Sequence, residues 1–279
     1  MAISTIKAGD WLKANGRIIT DASKASMKTY LEQNFRPLQD GVYIGKMQND
    51  GWGPQTGDET AVIGSYKRIE PWQTTSIGIT AADADAIVIQ HGGYRLGIAL
   101  TEPSAAIKWG SVQESNSIGY KQSSDLNNFD GDVRTAGIMA SSFYKNDAPE
   151  TYGVAYCWNY MTKRTDNGKP CQIGKHNWWM PTMGDLSLIH QHFETINLAL
   201  QRIKDAGKQS VSLLQRTYYW SCVEFSGTNA WNLNFDTGNR NNNGKVDNSN
   251  RVRPVTALVK EKWRTNGNGK VRGYFDSAL

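Results

Sequence analysis

Tyr218-Tyr-Trp-Ser-Cys-Val-Glu-Phe-Ser-Gly-Thr-Asn-Ala-Trp-Asn-Leu-Asn-Phe-Asp-Thr-Gly238, continued by Asn239-Arg-Asn-Asn-Asn-Gly-Lys-Val-Asp-Asn-Ser-Asn-Arg-Val-Arg-Pro-Val-Thr-Ala-Leu-Val259, interleaves two kinds of residue. Trp220, Trp231, Leu233, Phe235, Val252, Val255, Ala257 and Val259 are large or apolar and can anchor strands. Between and after them stand nine Asn in the 22 residues from Asn229 to Asn250. So much Asn makes poor strand and poor helix on propensity alone. A solvent-facing row of short amides, each able to donate and accept, suits a contact surface better than a core. The stretch reads as a rigid scaffold displaying a polar binding face.

Immediately upstream lies the strongest helix signal in the chain. Thr182 and Asp185 have the spacing of a capping box, with Asp in place of Glu or Gln. Leu186, Ile189, His190, Phe193, Ile196, Leu200 and Ile203 follow at helical spacing, and Gly207 stops the run. One long helix is therefore predicted. Tyr152–Tyr160 reads as a buried aromatic strand, and residues 110–150, rich in Ser, Asn and Asp, as long surface loops around short elements. Gly41–Gly45 reads as a strand and 51–57 as a loop; Asp85–Gln90 and Tyr94–Leu100 read as a hairpin turning through His91-Gly-Gly93. Residues 1–36 read as an arm with a helix over Ala22–Phe35, capped by Asp21 and ended by Pro37. Pro254 in the last strand points to an edge or a bulge.

At 279 residues with 39% hydrophobic content and ten Trp, the chain has ample material for an ordered core. No apolar run is long enough to span a bilayer, and the amino terminus shows no apolar secretory segment. Three cysteines, Cys157, Cys171 and Cys222, do not make a disulfide framework. From Arg251 to Leu279 seven Lys/Arg stand against two Asp/Glu, so this stretch carries the whole net charge of +5. No basic helix or aromatic-basic motif accompanies it, so it reads as a solvated tail and nucleic acid is not an expected partner.

The order Trp179-Met-Pro-Thr-x-Gly-Asp-Leu186, then Tyr219-Trp-Ser-x-x-Glu224, Ala230-Trp-x-Leu-x-Phe235, Gly238-Asn and Arg251-Val-Arg-Pro-Val255 resembles the variable proteins of diversity-generating retroelements. Those proteins carry a C-type lectin fold of the formylglycine-generating-enzyme type. The resemblance covers residues 148–259 and, more loosely, 40–110, where it is similar to gut Bacteroidales phage and prophage members. It implies an α+β, C-type lectin-like fold with short mixed antiparallel sheets, one long helix and long irregular loops. The expected division is an arm (1–36), a ligand-binding domain (37–262) and a basic tail (263–279). Within the domain, 37–110 would be the β-rich first part and 111–262 the lectin core, with its variable segment at 218–255.

The resemblance further implies that an error-prone reverse transcriptase rewrites Asn codons and that the varied side chains share one exposed face. Trp220, Glu224, Trp231, Phe235, Gly238, Arg251, Arg253 and Pro254 would then be scaffold. The candidate ligand-binding positions are Cys222, Phe225, Asn229, Asn232, Asn234, Asp236, Asn239, Asn241, Asn242, Asn243, Gly244, Asp247, Asn248 and Asn250. The implied partner is a protein or glycan on a bacterial surface, and the implied location a virion, as a tail-associated protein, or the cell surface. Such faces gain strength by repetition, so a homo-oligomer or virion-borne array is expected.

Three competing readings meet obstacles. Asn239-x-Asn241-x-Asn243-Gly244-x-x-Asp247-x-x-Asn250 mimics the spacing of a calcium loop, but with one carboxylate it lacks the charge to hold a hard dication. No metal or cofactor is expected. The resemblance implies that the formylglycine-generating relatives use a pair of nearby active-site cysteines; Cys222 stands without a second thiol or an activating base in its segment, so no turnover is expected. A non-diversified structural subunit of a phage or cell surface is the remaining alternative.

Overall fold

The computed structural model describes residues 11–12, 18–19, 39–47, 63–71, 84–92, 94–111, 129–140, 151–161, 164–166, 169–171, 176–207 and 210–257. The predicted helix over 22–35, the loop at 51–57 and the tail at 263–279 lie outside them. Contacts divide the chain after residue 39. The first unit contributes a two-stranded antiparallel ribbon, β1 (Trp11–Leu12) with β2 (Ile18–Ile19).

The second unit is mixed α+β, with antiparallel sheets and four described helices. Its larger sheet uses β3 (Gly41–Met47), β4 (Ile63–Arg68), β5 (Ala86–His91), β6 (Tyr94–Ile98) and β14 (Val255–Ala257), in the order β14-β6-β5-β3-β4. In β5 every residue from Ala86 to Gln90 is buried, as a central strand covered on both faces must be. The β5–β6 hairpin turns at Gly92, whose φ of 53° suits a residue without Cβ. β14, directly after Pro254, is an edge strand, where a missing N–H costs no ladder bond.

Four short elements, β7 (Ile107–Lys108), β8 (Arg164–Asp166), β9 (Lys169–Cys171) and β13 (Ser249–Asn250), form two further ribbons, β7 with β13 and β8 with β9. Helix α1 (Gly131–Ala140) stands inside the stretch expected to be mostly loop. Helix α2 (Gly153–Asn159) replaces the strand expected at Tyr152–Tyr160. The aromatics Tyr152, Tyr156 and Tyr160 are four apart, a helical spacing, and all three are half-buried while Val154, Ala155 and Cys157 face the core. A Cβ on Gly153 would stand 2.7 Å from both Met180 Cε and Val252 Cγ1, so the helix packs where only glycine fits.

The long helix expected from Leu186 to Ile203 is two helices, α3 (Met183–Gln191) and α4 (Phe193–Asp205), hinged at His192. Each serves a different sheet. α4 sends Phe193, Ile196, Ala199, Leu200 and Ile203 onto β3 and β5, while α3 packs on the sheet built from Tyr218 onward. One straight rod could not cover both. Gly207, at φ 87°, ends α4.

The capping box of α3 is present: Thr182 Oγ1 accepts from Asp185 N–H at 3.1 Å, and Asp185 Oδ2 accepts from Thr182 N–H at 2.9 Å. Tyr94 Oη donates to Asp185 Oδ1 at 2.8 Å. Burial outweighs these bonds and pushes the Asp185 carboxyl up from 3.8 to about 6. The folded state therefore binds this proton more tightly than the unfolded chain does. The stability it supplies is full below pH 3.8 and is lost as pH climbs to about 6. Asp185→Asn, which keeps an acceptor for Thr182 and lets Tyr94 accept instead, is expected to flatten this part of the profile in urea unfolding run across that range. An unchanged slope would mean that another group titrates.

Candidate functional site

The asparagine-rich stretch forms a three-stranded antiparallel sheet of β10 (Tyr218–Glu224), β11 (Asn229–Asn234) and β12 (Arg240–Gly244), with β11 in the middle. Asparagine was expected to resist regular structure here. Register explains why it does not, because Tyr218↔Asn234, Tyr219↔Leu233 and Trp220↔Asn232 place apolar anchors of β10 on both sides of the sheet. β12 then follows β11 through Ala230↔Asn243, Trp231↔Asn242, Asn232↔Asn241 and Leu233↔Arg240. The turn between β11 and β12 closes at Gly238, whose φ of 74° favours glycine and whose Cβ position lies 3.0 Å from His190 Cε1. Extended backbone at 240–244 is also the wrong shape to wrap a calcium ion. Among the described residues no group of three or more His, Cys, Asp and Glu gathers to hold a metal.

Beneath the strip lies a buried frame. Trp220 donates Nε1–H to Ile107 O at 3.0 Å, and Phe235 stacks on Tyr219 with ring centroids 4.4 Å apart. Glu224 and Lys245 form an ion pair of 2.6 Å that is almost entirely shielded from water. Lys245 Nζ also donates to Gly227 O at 2.7 Å and lies 5.0 Å above the Trp109 ring. Its backbone completes the clamp: Lys245 N–H donates to Thr228 O, and Lys245 O accepts from Trp109 N–H.

Arg253, fully buried, donates to Ala99 O at 3.0 Å and to Ser212 O at 2.8 Å, and meets Glu102 Oε2 at 3.0 Å. Tyr219 Oη donates to the same carboxylate. Burial raises the Glu102 pKa, against the pull of Arg253 and the Tyr219 hydrogen bond. Arg251 is half-buried and reaches Pro103 O and Ser104 O. Pro254 is buried, and Trp231 is half-buried against Phe225, edge to face at 4.9 Å.

The fourteen candidate positions divide into three kinds. Cys222, Asn232 and Asn250 are 1%, 0% and 7% exposed and belong to the interior, which corrects their assignment to an outward surface. Cys222 sits on the inner side of β10, where burial pushes its thiol pKa well up and leaves it a poor nucleophile. Asn232 lies across from Trp220, and its amide has no hydrogen-bond partner. A second group is accessible but bound to its own backbone or to a neighbour. Asn234 Oδ1 accepts from Asp236 N–H at 2.8 Å, Asn241 Oδ1 from Asn242 N–H at 2.8 Å, and Asn248 Oδ1 from Gly244 N–H at 3.0 Å, while Asn229 Nδ2 donates to Asn242 Oδ1 at 2.8 Å. Phe225, Asp236, Asn239, Asn243, Gly244 and Asp247 complete the set. Phe225, 44% exposed, is the one exposed large hydrophobic side chain among the described residues.

Register also corrects the expectation of one face. Asn234, Asn241 and Asn243 point to one side of the sheet, Asn229 and Asn242 to the other. Asn241, Asn242 and Asn243 lie on the edge strand β12, while Asn229 and Asn234 end the central strand; β12 with residues 236–239 and 247–248 forms one polar strip, with Phe225 and Trp231 on its flank. Lys245 and Glu102, which hold the frame, carry no sequence signal for that role, and Asp185 shows only as part of its capping box. A lysine between Gly244 and Val246 in an Asn-rich run gives no sign that it is buried.

No family model and no curated protein matches this sequence. Among solved structures, a fimbrial protein from Bacteroides ovatus is similar over 78% of this chain, with a TM-score of 0.45 and 12% identity. The chain spans 48% of the length of that protein. No helix among the described residues is long and apolar enough to cross a membrane.

Proposed function

We propose that this chain is a ligand-binding protein with a C-type lectin-type scaffold, and that the β12 strip is a diversified contact surface of the retroelement kind. The carrying observation is the separation of roles: Trp220, Glu224, Phe235, Lys245 and Arg253 are buried, while Asn239 and Asp247 are exposed, Asn243 is half-buried, and none of these three side chains forms a hydrogen bond or ion pair among the described residues. Adaptable polar groups beside the rigid Phe225–Trp231 pair make a surface that tolerates change and still offers an aromatic anchor. The ligand class that suits it is a protein or glycan on a bacterial surface, with the chain carried on a phage particle or on a cell, and no reaction is catalysed.

Changing Asn239, Asn243 and Asp247 together to serine is expected to move stability by no more than about 1.5 kcal/mol, as three surface substitutions of about 0.5 kcal/mol each. The same triple variant should lose binding to the bacterial cells that the parent chain labels. Unfolding of the variant would remove the scaffold reading, and unaltered labelling would move the contact elsewhere. A near-identical repeat beside a reverse transcriptase gene, differing from the Tyr218–Val259 coding segment only at adenines, is the genomic counterpart. A neighbourhood without one would leave the surface undiversified.

A further inference from the structure

Residues 102–104, the carboxyl end of α4, the connection 211–215 and Arg251 surround an open cleft of about 270 Å³. Its charges do not balance. Glu102 is the one carboxylate among the lining residues, and it is buried and already engaged by Arg253 Nη2 and Tyr219 Oη. Against it stand two lining cations. Arg251 spends Nη1 on Pro103 O at 2.9 Å and Ser104 O at 3.1 Å, with Glu102 Oε1 3.5 Å away. The two carbonyls and the Glu102 carboxylate all meet Nη1, which fixes the guanidinium while Nε and Nη2 form no hydrogen bond or ion pair among the described residues. Lys204, on the last turn of α4, is exposed and forms no ion pair among the described residues. Ser104, Ser212 and Gln215 add neutral hydrogen-bonding groups to the wall.

A guanidinium held in advance loses little freedom when a planar carboxylate docks on its remaining N–H groups. We propose that this cleft binds a small organic acid, its carboxylate on Arg251 and Lys204. The volume lies just below the usual lower end of small-molecule pockets, about 300 Å³, which fits an acid of a few carbon atoms. The site is separate from the β12 strip, and either can fail without the other.

Succinate titrated into the full chain, followed by backbone amide NMR, tests this, with uncharged succinamide as the control. Expected are saturable shifts confined to residues 102, 104, 204, 211–215 and 251, absent with succinamide. Lys204→Gln should weaken binding about fivefold, the worth of a partly exposed ion pair, while Lys204→Arg preserves it. Equal response to succinamide, shifts scattered over the surface, or an affinity unmoved by Lys204→Gln would each overturn the proposal. Phe225→Ala, on the other surface, should leave succinate binding as it is.

Discussion

Lys245→Ala is expected to destabilise the protein by about 3–5 kcal/mol, the usual cost of stranding one member of a buried ion pair. Glu224 would be left with a carboxylate almost wholly out of water, and Gly227 O would lose its charged donor. The cavity over Trp109 adds to the loss. The double variant Glu224→Leu/Lys245→Met should recover most of it, because two apolar side chains of similar volume remove both charges together. Urea unfolding of the two singles and the double measures this. A single-variant loss below about 1 kcal/mol would mean that water reaches the pair, as for ordinary surface ion pairs.

Arg253→Ala is expected to cost a comparable amount, about 3–5 kcal/mol. Its two terminal nitrogens reach Ala99 O and Glu102 on one segment and Ser212 O on another, distant in sequence. Removing them leaves two carbonyls short of a donor and weakens the neutralisation of a buried carboxylate. Arg253→Lys should rescue little, since one ammonium cannot reproduce the planar fork that reaches in two directions at once. Thermal unfolding of both variants is the check. Full rescue by lysine would show that charge, and not the shape of the guanidinium, holds the joint.

Local signals were legible in the sequence where they were complete in themselves. The Thr182–Asp185 box, the hairpin around Gly92 and the stop at Gly207 each depend on residues a few positions apart, and all three are present. The hinge at His192 was not legible, because the buried positions before and after it keep helical spacing and the reason to bend is a second sheet far off in sequence. α2 reads as a strand in the sequence because its apolar Val154, Ala155 and Cys157 sit beside aromatics, while the tyrosine spacing of four is the helical clue. At the candidate site, the stretch is identifiable by composition, yet composition does not separate Asn239, which is exposed, from Asn232, which is buried opposite Trp220. That distinction comes from cross-strand register, and so does the role of Lys245.

The bonds along the outer side of β12 carry a further consequence. In the alternation set by Asn234 N–H to Asn239 O and Lys245 N–H to Thr228 O, the amides of Asn242 and Gly244 turn away from β11. An unprotected margin of this kind invites a strand from another molecule to add on, the first step toward fibres. Here the carboxamides of Asn241 and Asn248 occupy those two donors first. Wherever the protein is crowded into an ordered array, these two asparagines help to keep neighbouring copies from knitting their backbones together, and a change to either one gives up that safeguard.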